Sequence, residues 1–492
     1  MRSVFSLICA VLALLGLSGL ATHAADAPAP PAVAINAADY PDLQSAVSAL
    51  PSSGGTVLLP PGTIKLDKTL NLSFALHKNP QFSVNLQGAS VLTTALLLDT
   101  HGQPGLDFTG NSYWKVSDLH LMNRSANVGV LLARTPPDGR GCSGEFNNVL
   151  FEGCYPVAAV YMAGSECCRF YHCDIYNQLK KWYNRDVPGM TEGEACVMIS
   201  PNNVRGVQSP YCSEGTGGGS NTEYYFDGCT FDNEAPDSCG LKIFGQASDI
   251  RVTNSYMHSS GFAAIYLDGT KGNLGNVTLR ALRIEGETSQ HALYARGHTN
   301  MVTIEGGDWN ATHEVILQES APVAFVDAGG PCISPVGAAN KWRISQLSLT
   351  IWDGWGYRAD YRAFAQEQRG GPLPTAWPDN APHVFMRFAT LLDSVIEPCE
   401  LVTLRWREAP APAAGGANTQ TVNGLTTAQA QAISEASFQP GAANQRLRDR
   451  QRMIALGKGS SGNRITVTTG NLLAIDPTVA PDNLLTVLHQ AK

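Results

Sequence analysis

Residues 224–231 read YYFDGCTF, 250–257 read IRVTNSYM, 277–284 read VTLRALRI and 302–309 read VTIEGGDW. Set under one another, these octets put Cys229, Ser255, Leu282 and Gly307 in one column, at steps of 26, 27 and 25 residues. Each octet is followed by a turn and a second short strand-like run: GLKIFG, AAIYLDG, HALYARG and HEVILQ. Self-similarity at a fixed period in this range is the mark of a stacked-repeat architecture. The units carry strand periodicity and no helical pattern between strands, so the solenoid they predict is a β-helix.

The chain has 492 residues, a length that one solenoid can absorb. It is rich in turn formers, with 48 Gly and 29 Pro, and only 15% of it is charged, which disfavours long exposed helices. A formal net charge of -8 argues against nucleic-acid binding, which needs a basic footprint, but leaves room for a locally basic groove on an acidic polysaccharide. Arg2, the apolar run from Val4 to Leu20 and the small residues from Ala21 to Ala24 predict a signal peptide over 1–24, hence secretion or periplasmic export. No second apolar stretch is long enough to span a bilayer.

Of the 12 Cys, Cys9 lies in that leader, and nine fall between Cys142 and Cys239. An oxidising compartment permits disulfides. Cys154, Cys173 and Cys229, however, occupy one apparent repeat position (FEGCYP, YHCDIY, FDGCTF) and are expected to stack inside as small hydrophobes. The spacing of Cys167, Cys168, Cys196 and Cys212 fits no zinc template.

Residues 25–36 form an Ala/Pro linker, and Tyr40 to Leu50 predicts an amphipathic helix with Leu43, Val47 and Leu50 on one face. Turn signals then bracket two strands in GGTVLLPPGTIKL. A short helix, that segment and then strand repeats resemble the start of the pectate-lyase-like right-handed parallel β-helix superfamily. The resemblance implies that the helix caps the open end of the solenoid, which would otherwise expose an apolar rung and an unpaired strand edge. The rung pattern extends to about residue 350, giving a β-helix domain over 37–408 that ends in an irregular aromatic region from Trp352 to Arg407 acting as a C-terminal cap. A linker follows over 409–425, then a tail over 426–492 whose part from Thr426 to Leu456 reads as helical. Two breaks in the period, 177–193 and 201–221, predict long loops on one side, where binding sites tend to gather.

Strand alternation assigns inside and outside. Leu241, Ile265 and Leu293 point in, which turns Lys242, Tyr266 and Tyr294 outward as one row, extended by Tyr161 and Met198; Phe244, Asp268 and Arg296 form a second row. The turn ahead of this strand brings Tyr176, Lys180, Lys181, Asp232, Glu234, Asp237, His258 and Glu285. The resemblance implies a substrate groove on this strand, walled by that turn.

Uronate β-elimination needs a cation to neutralise the carboxylate, a base and an acid. Lys242, His258, Tyr266, Asp268 and Arg296 supply those types and are the candidate catalytic set. Tyr161, Tyr176, Lys180, Lys181, Trp182, Tyr294 and Glu285 are the candidate substrate contacts, a mix of aromatic and basic groups that suits an anionic sugar chain. Asp232, Glu234 and Asp237 could hold Ca²⁺ through oxygen ligands. The leading expectation is a polysaccharide lyase acting on a uronic-acid-containing chain. The alternatives are a glycoside hydrolase, with two carboxylates drawn from Asp232, Asp268 and Glu285, and a non-catalytic carbohydrate-binding β-helix. The paired Asp, Gly-His-Gly and Arg-Ile-Lys pattern of polygalacturonases is absent from the sequence.

Overall fold

The computed structural model describes residues 33–79, 82–135, 141–211, 221–235, 237–259, 261–286, 291–311, 316–319, 338–353, 383–388, 390–405, 421–422, 425–426, 452–456, 460–468, 471–475 and 483–488. From Ala34 onward the chain winds into a right-handed parallel β-helix whose strands stack as three walls. The first wall starts with Ala34–Asn36 on Gly54–Leu58, and its last pair is Arg464–Thr468 with Leu484–Leu488. The second runs from Gly62–Leu66 to Glu400–Arg405. The third runs from Leu70–Asn71 to Asn471–Ile475. Several strands turn the corner without a break, the longest being Ala263–Gly286 and His291–Ala311.

Alternation in the sequence fills the interior. On the first wall Val116, Phe146, Phe170, Phe226, Val252, Leu279, Ile304 and Ile344 lie in successive register and are all buried. The rings of Phe146, Phe170 and Phe226 stack at centroid distances of 5.0 and 4.7 Å, close to the rung spacing of about 4.8 Å. The corner between the first and second walls is turned in rung after rung by one left-handed residue, among them Asp118, Asn148, His172, Gly228, Asn254, Ala281, Gly306 and Gln346. That single residue rotates the chain while keeping the inward columns in register on both sides.

The predicted cap is present as Leu43–Ser48, shorter than expected. Asp42 accepts a hydrogen bond from the Ser45 N–H at its start, and Leu43, Ala46 and Val47 are buried over the first rungs. Its side chain Gln44 accepts from the Asn71 N–H and so ties the cap to the third wall.

Four expectations change. Ala34–Asn36, read as linker, is a strand paired with Gly54–Leu58, because IN continues the alternation that Pro and Ala interrupt. Rungs also run on past residue 350: Ser348–Asp353 pairs with Glu400–Arg405, and His383–Phe388 with Arg452–Leu456. Arg452–Leu456 is therefore a strand where a helix was expected, its pairing on both sides overriding helix-compatible residues. Cys154 leaves the cysteine column. Ser143–Glu152 spans both walls, so Val149 takes the corner position beside Cys173, and Cys154 falls five residues later in the next turn. Cys173 and Cys229 do stack there, the Thr230 N–H donating to the Cys173 carbonyl. The nine cysteines described are all free thiols. Among the described residues no helix is long and apolar enough to cross a membrane. The leader at 1–24 and residues 409–420 of the expected linker lie outside the described residues, while Thr421–Val422 and Leu425–Thr426, read as linker and the start of the tail, pair as antiparallel strands.

Candidate active site

Two outer surfaces carry the predicted side chains, and the structure treats them differently. On the third wall, Lys242, Tyr266 and Tyr294 do form one register column, with Phe244, Asp268 and Arg296 beside it. Tyr266 and Tyr294 stack with centroids 5.5 Å apart and planes 8° apart, and Phe262 closes over them edge-on. The Asp268 carboxylate is buried and fully engaged. One oxygen takes the Arg296 Nε and Nη2, at 3.1 and 2.8 Å, and the other takes the Thr270 N–H at 3.0 Å and the Thr270 hydroxyl. Desolvation opposes this carboxylate's charge, yet Arg296 and Thr270 hold its pKa below the ordinary value. Lys242 Nζ lies over the rings of Tyr266 and Phe244, 5.5 and 5.8 Å from their centroids, and 3.8 Å from Glu194 Oε1. Burial raises the Tyr266 phenol well above its usual range, with Asp268 adding to the effect. This is an interlocked patch in which the acid, the cation and the phenol are occupied with one another.

The outer row does not continue as an open platform. Tyr161 is completely buried, together with Leu131, Ala163 and Met198, beneath a strap formed by 201–211. Val207 of the strap packs into that apolar cluster, the Arg205 N–H reaches the Tyr161 hydroxyl, and Arg205 pairs with Glu194. Ser209 donates to the buried Asp107 carboxylate, and Tyr211 Oη donates to the Thr69 carbonyl at 2.6 Å. Tyr161 is therefore a core residue under the strap, not a sugar contact. The sequence row was right in register, but alternation cannot reveal that a distant loop folds back over it.

The second wall holds the other set. Tyr176, Asp232, His258 and Glu285, expected in a turn, sit on successive strands in one register column with Glu152 preceding them. His258 Nδ1 lies 3.0 Å from Asp232 Oδ1. Glu234 follows two residues after Asp232, just past the end of the strand Thr230–Asn233, and lies near enough for the Asp232 charge to act on it. Glu234 is only 9% exposed. Burial pushes its pKa up to about 7, the neighbouring charge of Asp232 adds to this, and a hydrogen bond from the Leu179 N–H offsets part of it.

Around this centre Glu285 accepts the Tyr256 hydroxyl at 2.5 Å and pairs with Arg283. Glu152 Oε2 lies 2.8 Å from His120 Nε2, and Glu152 Oε1 accepts the Tyr183 hydroxyl at 3.0 Å. Lys180–Tyr183 is a single helical turn at the rim. Lys180 Nζ donates to the Met190 carbonyl, Lys181 Nζ lies 5.6 Å from the Trp182 ring, and Trp182 is exposed. The expected calcium set does not assemble: Asp237 is exposed in the turn, and among the described residues no three His, Cys, Asp or Glu side chains gather as a metal site. Glu152, His120 and Tyr256 were not anticipated. Aligning the second-wall strands by register, rather than the third, would have shown Glu152 and Tyr256.

Fold and site together describe a right-handed parallel β-helix protein with a carboxylate–histidine centre on its second wall. Neither a family model nor a curated protein matches the sequence. Solved structures to which the chain is similar include a DFA-IIIase mutant from Arthrobacter chlorophenolicus A6, at 12% identity and a TM-score of 0.47 over 92% of this chain and 98% of that one. Others are the catalytic domain of a GH87 alpha-1,3-glucanase in complex with nigerose (9%, 0.37, 94% and 69%) and an alginate lyase from Paenibacillus sp. str. FPU-7 (14%, 0.34, 65% and 93%).

Proposed function

We propose that the protein is an exported carbohydrate-active enzyme that hydrolyses a glycosidic bond at Asp232 and Glu234. One observation carries the reading: Glu234 is a buried carboxyl held near pKa 7, two residues along the chain from a second carboxylate whose charge acts on it. Two carboxyl groups in unlike environments are what glycoside hydrolysis requires. Glu234 gives its proton to the bridging oxygen as the bond to the anomeric carbon breaks. Asp232, oriented by His258, takes a proton from the water whose oxygen bonds to that carbon. One water is consumed, two saturated sugar ends form, and the proton returns from Asp232 to Glu234 through solvent. Export rests on the leader at 1–24.

Uronate elimination on the third wall is the weaker reading. Its acid–base groups would be Tyr266, whose phenol is raised and hard to ionise, and Asp268, which is locked by Arg296 and Thr270. The test is Glu234→Gln and Asp232→Asn in the full chain, assayed for reducing ends and for unsaturated product. Hydrolysis should fall by about 100-fold or more in each variant while the melting temperature is held. Unsaturated product that survives both substitutions and disappears in Lys242→Ala would replace this reading with elimination.

A further inference from the structure

The outer surface of the second wall carries an unbalanced charge. Six carboxylates stand on it: Glu152, Asp174, Asp232, Glu234, Glu285 and Asp308. Among the described residues the permanent cations beside them are Arg283, which pairs with Glu285, and Lys181 at the rim. The remaining basic groups are two histidines, each already at a carboxylate: His120 on Glu152 and His258 on Asp232. Desolvation lowers the pKa of His120, which favours its neutral form, with Glu152 pulling the other way.

Hydroxyl groups on this surface report the same field. Tyr176 and Tyr183 are each pushed up to about 12, first by burial and then by the carboxylates around them: Asp174, Asp232 and Glu152 for Tyr176, and Glu152, Glu234 and Asp232 for Tyr183. Tyr256 is raised likewise by burial and Glu285. All three phenols stay protonated; Tyr256 and Tyr183 donate to Glu285 and Glu152 and hold those carboxylates in place as acceptors. A surface of fixed acceptors and protonated phenols matches a polyol. It repels a second row of carboxylates.

From this geometry we infer that the substrate is an uncharged glycan, and that the site rejects polyuronates. The inference rests on the hydrolase reading above and names the substrate class for that same site. It reverses the expectation, drawn from Lys180, Lys181 and Trp182, of an acidic polysaccharide. Those residues sit at the rim, and Lys180 is turned away onto the Met190 carbonyl.

The test uses the full-length protein at one ionic strength, with dextran, pullulan, laminarin and xylan on one side and polygalacturonate and alginate on the other. Reducing ends and absorbance of unsaturated product are followed together. Affinity electrophoresis of Glu234→Gln in gels holding each polymer reads binding without turnover. The expected result is cleavage or retardation by at least one neutral polymer, with polyuronates at least about 100-fold poorer. Reversing the outlying charges in an Asp174→Lys, Asp308→Lys double variant should narrow that ratio, and raising salt should narrow it further. Saturated, Glu234-dependent products from a polyuronate at a rate equal to the best neutral polymer would overturn the inference and leave the hydrolase reading standing. No cleavage and no retardation with either class would overturn both.

Discussion

Arg296 and Asp268 sit on adjacent rungs, with both Arg296 Nε and Nη2 on a single oxygen of a carboxylate that is 4% exposed. A pair this enclosed stands or falls together. Arg296→Ala should destabilise the protein by about 3–5 kcal/mol, because it strands a buried charge. Arg296→Met combined with Asp268→Leu should recover much of that loss. Urea unfolding of the native protein and the two variants checks this; equal losses in the single and double variants would show that packing, not the charge, accounts for the effect.

Glu234 ties activity to pH with a definite sign. As the proton donor it works only while protonated, so kcat should decline as pH rises through about 7. Asp232→Asn removes one of the two causes of the shift, and the residual activity of that variant should lose its alkaline limb at a lower pH. Stability follows the same group. A carboxyl whose pKa is raised by folding favours the native state fully below its ordinary value and loses that contribution as pH climbs through the raised one. Thermal melts from pH 4 to 8 should therefore slope downward more in the native protein than in Glu234→Gln.

Asp107 gives the strap over the third wall a pH response of its own. Its carboxyl is buried beneath Ser209 and Thr109, and desolvation raises its pKa despite their hydrogen bonds. The strap should be held most firmly at low pH and loosen as pH rises through that elevated value. Hydrogen exchange across 201–211, compared at each pH with Asp107→Asn, reads the difference. Identical protection in both proteins at every pH would refute a role for this proton.

Ala281 turns its corner at φ 51°, a position that most other rungs give to Asn, Asp or Gly. Left-handed backbone strains an alanine that is exposed and has no side-chain hydrogen bond to offset it. Ala281→Gly should raise stability by about 0.5–1 kcal/mol, the relief of left-handed strain less the greater freedom of glycine in the unfolded chain. A melting temperature that drops instead would mean the corner is held by something other than its dihedral.

Where function is concerned, register was legible and coverage was not. The columns Lys242–Tyr266–Tyr294 and Phe244–Asp268–Arg296 follow from alternation and period, and the structure reproduces them. The burial of Tyr161 depends on Val207 and Arg205 arriving from an irregular loop with no periodicity to read. The corner position of Cys154 failed for a related reason. A strand that runs through its corner, such as Ser143–Glu152, changes the count of residues between landmarks without changing their type. The acid at Glu234 was named as a metal ligand because sequence shows a carboxyl but not its burial, and burial is what sets its proton affinity.

Stacked repeats ordinarily touch only their neighbours, so their ends can melt while the middle holds. The strap breaks that rule. Tyr211 binds Thr69 across 142 residues of chain, and Ser209 binds Asp107 across 102. The earliest coils are thus clasped by a segment synthesised several turns later. They cannot fray one at a time without first releasing it, and the amino-terminal half should unfold as one cooperative block even though its architecture is that of a spring.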